Sequence, residues 1–178
     1  LLYNYNIKNN IYIKNKKYIK IMSSIKFIDL MDLINKYIDN FDIIKEKYLS
    51  LLSELSIVTE LDTKMYLEHL EKISNMGTII VCYIENPISE NFDIIASGTI
   101  IIEPKFIRGG KSVGHIEDIV VKNTYRGRQI SKDILNVLKN IAREKNCYKV
   151  ILDCNEEVKK VYNRSGFEEK GIQMGIYF

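Results

Sequence analysis

Within residues 114–131, GHIEDIVVKNTYRGRQIS, two kinds of chemistry sit close together. Glu117 and Asp118 are adjacent acids inside an apolar run that otherwise reads as a strand. A carboxylate so placed attracts an ammonium group and can accept its proton. Burying both acids without partners would cost on the order of several kcal/mol, so an idle pair is disfavoured. The alternative is that one is a paired structural charge. Neighbouring strand residues point to opposite faces, so both acids meet one ligand only where a bulge re-aims one of them. Without a bulge, Asp118 is the ligand's acid and Glu117 a structural or water-relaying one.

A few residues further on, Tyr125-Arg126-Gly127-Arg128-Gln129-Ile130-Ser131 links that strand to a helical pattern. Glycine allows a turn that gathers backbone N–H groups. A helix start adds free N–H groups and a positive dipole end, which suit an anion. Arg126 and Arg128 add charge and forked donors. This arrangement fits a pyrophosphate, or else it is a solvated basic turn. It is neither a P-loop, which needs GxxxxGK[ST], nor a GxGxxG fingerprint. Cys82, Cys147 and Cys154 lack CxxC spacing, and two histidines are too few for a Cys/His zinc set. We read the cysteines as reduced, buried packing residues, with no metal and no Cys–His nucleophile.

These groups need a scaffold, and 178 residues with 46% hydrophobic and 28% charged side chains suffice for one packed domain. Ile25–Ile28 reads as a strand. Apolar residues from 30 to 55 recur near helical spacing, and a second helix opens at Asp62, a candidate N-cap. Thr78–Glu85 and Phe92–Glu103 read as hairpin strands across Asn86-Pro87, and Ser112–Lys122 as a third long strand. Ile130–Asn146 is an amphipathic helix with Ile134, Val137, Leu138 and Ile141 inward. Tyr148–Asp153 reads as a strand, Asn155–Arg164 as a helix and Phe167–Phe178 as a last strand. The expected fold is mixed α/β: an antiparallel meander, then a strand–helix–strand crossover that sets 112–122 parallel to 148–153. A crevice at the C-terminal ends of such strands commonly holds a ligand.

Residues 1–24 differ from the rest. They are low-complexity Leu, Asn, Tyr, Ile and Lys, and read as a basic extension apart from a domain of residues 25–178. Lysines interrupt the apolar residues too often for a membrane span or signal peptide. The formal charge is +3, but without the five lysines of residues 1–20 there remain 21 basic and 23 acidic residues. That balance is a weak footprint for nucleic-acid binding.

The turn at 126–131 resembles the acetyl-CoA loop of the GNAT acetyltransferase superfamily, usually Arg/Gln-x-x-Gly-x-Gly/Ala. Gln129 stands for the middle glycine and Ser131 for the last. The longer set GHIEDIVV, YRGRQIS and CYKVILDCNEEVKKVYNRSGF is similar to the eukaryotic glucosamine-6-phosphate N-acetyltransferase family. The resemblance covers residues 50–178 and is strongest over 114–167. It implies the GNAT fold, a mixed central sheet with helices on both faces. The implied reaction is direct attack by the amine of glucosamine 6-phosphate on acetyl-CoA, in the cytoplasm, by a homodimer.

Further roles follow from that resemblance. Ile119, Val120, Val121 and residues Arg126, Gly127, Arg128, Gln129, Ile130 and Ser131 would hold acetyl-CoA, and backbone N–H groups near Asp118 and Ile119 would face the oxyanion. A bulge is expected at the two acids. Tyr162, a core residue by spacing alone, matches the family tyrosine that meets the CoA sulfur. Asn155 would touch the pantetheine or adenosine part, although it is equally a plain N-cap. Lys105-Phe106-Ile107-Arg108 matches the family's Lys-Phe-Ile-His, so Lys105 and Arg108 would meet the substrate phosphate, and the segment would serve the partner's site. Tyr148, Lys149 and Asp153 match sugar-phosphate contacts, and Ser56 stands where the family often has threonine. The family's C-terminal arginine is missing, with Tyr177 near its place; Arg108, Arg164 or nothing compensates. His115 reads as a packed strand residue and His69 as a surface one. The alternatives are transfer to another amine (protein N-terminus, lysine or polyamine) and a catalytically silent acyl-CoA-binding regulator.

Overall fold

A computed structural model describes residues 25–86 and 91–177. Strand β1 (Ile25–Asp29) leads into helix α1 (Leu30–Lys36), and α2 (Phe41–Leu52) and α3 (Thr63–Met76) follow. Then come β2 (Gly77–Asn86), β3 (Asn91–Glu103), β4 (Ser112–Val121), α4 (Ile130–Glu144), β5 (Cys147–Ile151) and the short α5 (Lys159–Asn163). The strands form one sheet in the order β1-β2-β3-β4-β5, antiparallel except for the parallel β4–β5 pair. The expected meander and crossover are both present.

Strand alternation divides the core in two. Ile79, Val81, Tyr83, Ile94 and Val120 pack with Leu33, Ile44, Tyr48, Leu51, Tyr66 and Leu70 of α1–α3 on one face. Ile80, Cys82, Ala96, Ile100 and Ile116 pack with Ile130, Ile134, Leu135, Leu138 and Ala142 of α4 on the other. Helices therefore cover both faces. Asp62 caps α3 as expected, its Oδ1 accepting from the Met65 N–H at 2.7 Å.

Several elements differ from the sequence reading. The helical pattern over 30–55 is interrupted at Tyr37, whose φ/ψ of −126°/51° is not helical. Its ring stacks on Phe92 at 4.8 Å and its hydroxyl donates to Glu85 Oε1 at 2.7 Å. Those tertiary contacts outweigh helix continuity. The helix expected at 155–164 shrinks to Lys159–Asn163 because a turn held by Asn155 precedes it, and Gly166 at φ +86° follows it. Residues 167–177 form no strand; Ile172, Met174, Ile176 and Tyr177 are 77–98% exposed, with no neighbouring strand to complete a ladder. Cys82 is buried, but Cys154 is exposed, contrary to its reading as a packing residue. The extension 1–24, and Pro87 of the expected hairpin turn, lie outside the described residues.

Candidate active site

The site is built where two regularities of the sheet fail. The first is a β-bulge. Ser97 pairs with Val120 and Thr99 with Glu117, so Gly98 faces both Asp118 and Ile119. Asp118 takes φ +52° to accommodate the extra residue, a left-handed conformation that Asp tolerates better than most side chains. Alternation is reset: Ile116 and Ile119 both lie in the α4-side core, while Val120 turns to the opposite face. Gly98 is required on that side, because a Cβ there would meet Ile119 Cδ1 at 2.5 Å and Ile134 Cγ2 at 2.8 Å.

The second failure is a splay. The β4–β5 pairing ends at His115↔Ile151, although β4 continues to Val121. A cleft of about 350 Å³ opens beyond that point, lined by Ile119–Val121, Tyr125–Ser131, Leu55, Val158, Val161 and Tyr162. All nine strand and turn residues expected to hold the acyl donor thus share one cavity with Tyr162. Leu55, Tyr125, Val158 and Val161 complete its wall. Tyr125 opens the turn read from the sequence, whereas Leu55, Val158 and Val161 gave no sequence signal beyond apolarity.

The turn has the geometry an anion needs. Gly127 has φ +76°, and Gln129, the residue before α4, has φ +63°. No side chain caps the helix start, so its leading N–H groups remain directed at the cleft end. Arg126 Nε donates to Val121 O at 3.0 Å, Arg128 donates to Thr124 O at 3.1 Å, and Arg128 lies over the Tyr125 ring at 4.9 Å. The two guanidiniums are therefore braced beside the turn. Glu54 Oε2 accepts from the Asn123 N–H at 2.6 Å and ties the turn after α2, with Leu55, to the cleft rim.

Tyr162 is half-buried and packs edge-on against Phe167 at 6.2 Å. Burial, and secondarily the nearby Cys154, raises its phenol pKa above the ordinary tyrosine value. The phenol is thus a proton donor at neutral pH.

Glu117 and Asp118 do not line the cavity; both are exposed just before the run 119–121 that does. Burial raises the Glu117 pKa, and the negative charges of Asp118 and Asp153 add to the rise while His115 opposes it. Three carboxylates therefore share one neighbourhood, which favours a cationic guest. Asp153 Oδ2 also accepts from Gln173 Nε2 at 2.9 Å, tying the C-terminal segment to this place. His115 Nε2 lies 2.8 Å from Glu103 Oε2, and Glu103 also pairs with Lys105. Arg108 lies over the Tyr148 ring at 5.8 Å and Lys149 over it at 5.7 Å, so two expected phosphate cations flank one aromatic ring. Ser56 is exposed next to Leu55, outside the cleft wall. Asn155 also stands apart, its Oδ1 accepting from the Val158 N–H at 3.3 Å. Among the described residues, no group of three or more His, Cys, Asp or Glu is placed to hold a metal ion, and no helix is long and apolar enough to cross a membrane.

Comparison with known proteins agrees with this geometry. Residues 45–167 match the model of the Acetyltransferase (GNAT) family. The chain is 39% identical over 132 residues to a probable glucosamine 6-phosphate N-acetyltransferase 2 of Oryza sativa subsp. japonica, covering 74% of this chain and 80% of that one. It is 39% identical over 140 residues to glucosamine 6-phosphate N-acetyltransferase 1 of Dictyostelium discoideum, covering 79% and 86%. The crystal structure of the Arabidopsis thaliana glucosamine-6-phosphate N-acetyltransferase superposes with a TM-score of 0.71 at 31% identity, over 86% of this chain and 98% of that one. The chain belongs to the GNAT acetyltransferase family and, within it, is a homologue of the glucosamine 6-phosphate N-acetyltransferases.

Proposed function

We propose that the chain transfers the acetyl group of acetyl-CoA to the amine of glucosamine 6-phosphate, giving N-acetylglucosamine 6-phosphate and free CoA. The observation that carries the reading is the single cleft joining the 126–131 turn, the bulged strand and Tyr162. The relatives' activity supports the choice of amine. A phosphorylated sugar also suits the cations Lys105, Arg108 and Lys149, while its ammonium suits the carboxylates.

The turn holds the diphosphate through backbone N–H groups, with Arg126 and Arg128 supplying charge. Holding both reactants at attack distance can supply up to about 7–11 kcal/mol. The amine attacks the thioester carbonyl directly, and the oxyanion is met by strand N–H groups at Asp118 and Ile119, where the bulge frees backbone from the ladder. One such donor is worth about 10²–10³ in rate. Glu117 or Asp118 orients the sugar ammonium and takes its proton. Tyr162 gives its phenolic proton to the leaving thiolate.

In this reading Asn155 contacts the donor's arm and Ser56, Tyr148 and Asp153 the sugar. The active form is a homodimer in the cytoplasm. A second copy would cover the exposed Ile172, Met174, Ile176 and Tyr177, and it would receive the 105–108 segment, where Phe106 and Ile107 are also exposed. Three free thiols are in keeping with a reducing compartment.

Release of CoA thiol tests the reading. Acetyl-CoA is supplied with glucosamine 6-phosphate, glucosamine, a peptide amine or a polyamine. Efficient turnover with the phosphorylated sugar alone is expected. Turnover confined to the peptide or polyamine would reassign the substrate, and donor binding without thiol release would remove the activity.

A further inference from the structure

Helix α5 carries Tyr162 but has little of its own to hold it. It is five residues long and none of them is buried, and a helix so short has no independent stability in water. Val158, Val161 and Tyr162 line the cleft from this segment. Among the described residues, the hydrogen bonds and ion pairs of 155–170 are internal to it, with one exception. Lys139 of α4 donates from Nζ to Ser165 O at 2.8 Å.

Ser165 is joined directly to the end of α5. Its N–H donates to Tyr162 O at 2.9 Å, and its Oγ donates to Val161 O at 3.2 Å. The Phe167 N–H donates to the same Tyr162 carbonyl at 3.1 Å, with Gly166 at φ +86° turning the chain between them. A donor that fixes the Ser165 carbonyl therefore fixes the last turn at Tyr162. The Lys139 ammonium also lies over the Phe167 ring at 5.9 Å, and that ring meets Tyr162 edge-on. Burial, then the like charges of Arg143 and Lys132, lowers the Lys139 pKa, and among the described residues no acid opposes them. The ammonium is thus engaged by a carbonyl and a ring rather than by a carboxylate. α4 itself starts at Ile130, within the 126–131 turn. One helix carries the anion cradle at its start and, about 13–14 Å along its axis, the group that holds the Tyr162 segment.

We propose that Lys139 is a positioning residue that ties the Tyr162 segment to the helix holding the acyl donor, and so sets the reach from the 126–131 turn to the phenol. It does not line the cleft and acts through Ser165 and Phe167. The inference rests on the acetyl transfer and the role of Tyr162 proposed above, and two readouts separate it from them.

The first readout needs no turnover. Lys139→Met keeps the alkyl stem and removes the donor. In protein labelled with 3-fluorotyrosine, the fluorine resonance that disappears in Tyr162→Phe is that of Tyr162. Lys139→Met should shift or broaden this resonance, and Lys139→Arg, which can still donate to the carbonyl, should restore it. An unmoved resonance would overturn the tether. Absence of wild-type thiol release would remove the reaction and leave the resonance to decide the tether.

The second readout is thiol release with glucosamine 6-phosphate. Lys139→Met should lower kcat by between about 3- and 100-fold, the upper end being what a misplaced reacting group produces, and Lys139→Arg should recover most of it. The KM for acetyl-CoA should rise as well, because Val158 and Val161 move with the segment, while that for glucosamine 6-phosphate stays within about twofold. An unchanged kcat, or a rise confined to the KM for the sugar phosphate, contradicts the proposal. In Tyr162→Phe, adding Lys139→Met should lower kcat by less than about twofold, whereas independent losses that multiply would refute action through Tyr162. Lys145→Met removes a lysine from the far end of α4 and should leave both the resonance and kcat unchanged. A loss there equal to that of Lys139→Met would reduce the effect to a missing charge on the helix.

Discussion

Gly98→Ala probes the coupling between core and chemistry most directly. A methyl at this position meets Ile119 Cδ1 at 2.5 Å, Ile134 Cγ2 at 2.8 Å and Leu138 Cδ1 at 3.1 Å. Ile134 and Leu138 are fully buried in the α4 core and have nowhere to go, whereas Ile119 is only partly buried and lines the cleft. Strain therefore moves Ile119 toward the cleft. Overpacking of this kind costs about 1–3 kcal/mol, and the stiffer unfolded chain returns about 0.4–1 kcal/mol. A net loss of about 1–2 kcal/mol corresponds to a Tm lower by about 2–8 °C for a domain of this size. Thermal unfolding and steady-state thiol release on the same preparation give both numbers. The catalytic expectation is a kcat reduced by up to about 10²-fold, because a displaced Ile119 N–H no longer meets the oxyanion. An unchanged Tm together with an unchanged kcat would refute the close packing at Gly98 and the link from it to the reaction.

Other outcomes follow from single residues. Tyr162→Phe should lower kcat by at least about 10-fold while leaving the KM for acetyl-CoA nearly unchanged, because the ring still lines the cleft; a near-normal kcat would remove the phenol from proton transfer. The Glu117 pKa is raised, so its basic form is lost on acidification sooner than an ordinary glutamate's, and kcat/KM should fall on the acid side. Asp153→Asn removes one of the charges responsible for that rise and should move the acid limb to lower pH; an unmoved limb means Glu117 is not the titrating group. Glu85, paired with Lys36 and Lys26 and accepting from Tyr37, has its pKa lowered to about 2. A depressed carboxyl stabilises the fold above its unfolded pKa and loses that contribution as pH falls toward the folded one. Between about pH 4.5 and 2 the wild-type Tm should therefore fall more steeply than that of Glu85→Gln, and parallel curves would contradict the pairing. Tyr66→Phe should raise stability by about 1 kcal/mol, since it deletes an unpaired buried hydroxyl; a lower Tm would show that the oxygen has a partner.

Much of this architecture was readable in the letters because local and tertiary preferences agree. The inward stripe Ile134-Leu138-Ile141 and the Asp62 cap describe elements whose burial and capping need only neighbours in sequence. The strands 78–85, 92–103 and 112–122 are long and apolar enough to leave no competing reading. The turn at 126–131 stood out as a candidate anion cradle because a glycine, two arginines and a helix start fall within a few residues. Where partners are distant, the sequence misled. Tyr37 breaks a helical pattern for contacts with Phe92 and Glu85. The segment 167–177 has strand composition, but a strand exists only beside another one. Leu55, Val158 and Val161 carry ordinary core chemistry, and only the splay between β4 and β5 turns them into a cleft wall. The two acids stood out as candidates, yet the bulge beside them is announced by no local residue.

Backbone conformation links these findings. Among the described residues, four other than glycine have positive φ: Arg108, Asp118, Gln129 and Asn146. Asn146 follows the C-cap of α4, where a left-handed residue commonly ends a helix. The other three fall in the 105–108 segment, in the bulge and in the 126–131 turn. Each costs about 1–2 kcal/mol relative to an ordinary conformation, and nothing in the local sequence compensates. The surrounding packing does so. Ile119 and Ile134 hold the bulge, the brace of Arg126 and Arg128 holds the turn, and the Tyr148 ring supports Arg108. Strain of this kind persists only where the rest of the fold over-determines it. A fold that holds the bulge and the 126–131 turn in costly backbone conformations next to one cleft has spent stability on geometry, as a reaction driven chiefly by placement of two substrates requires.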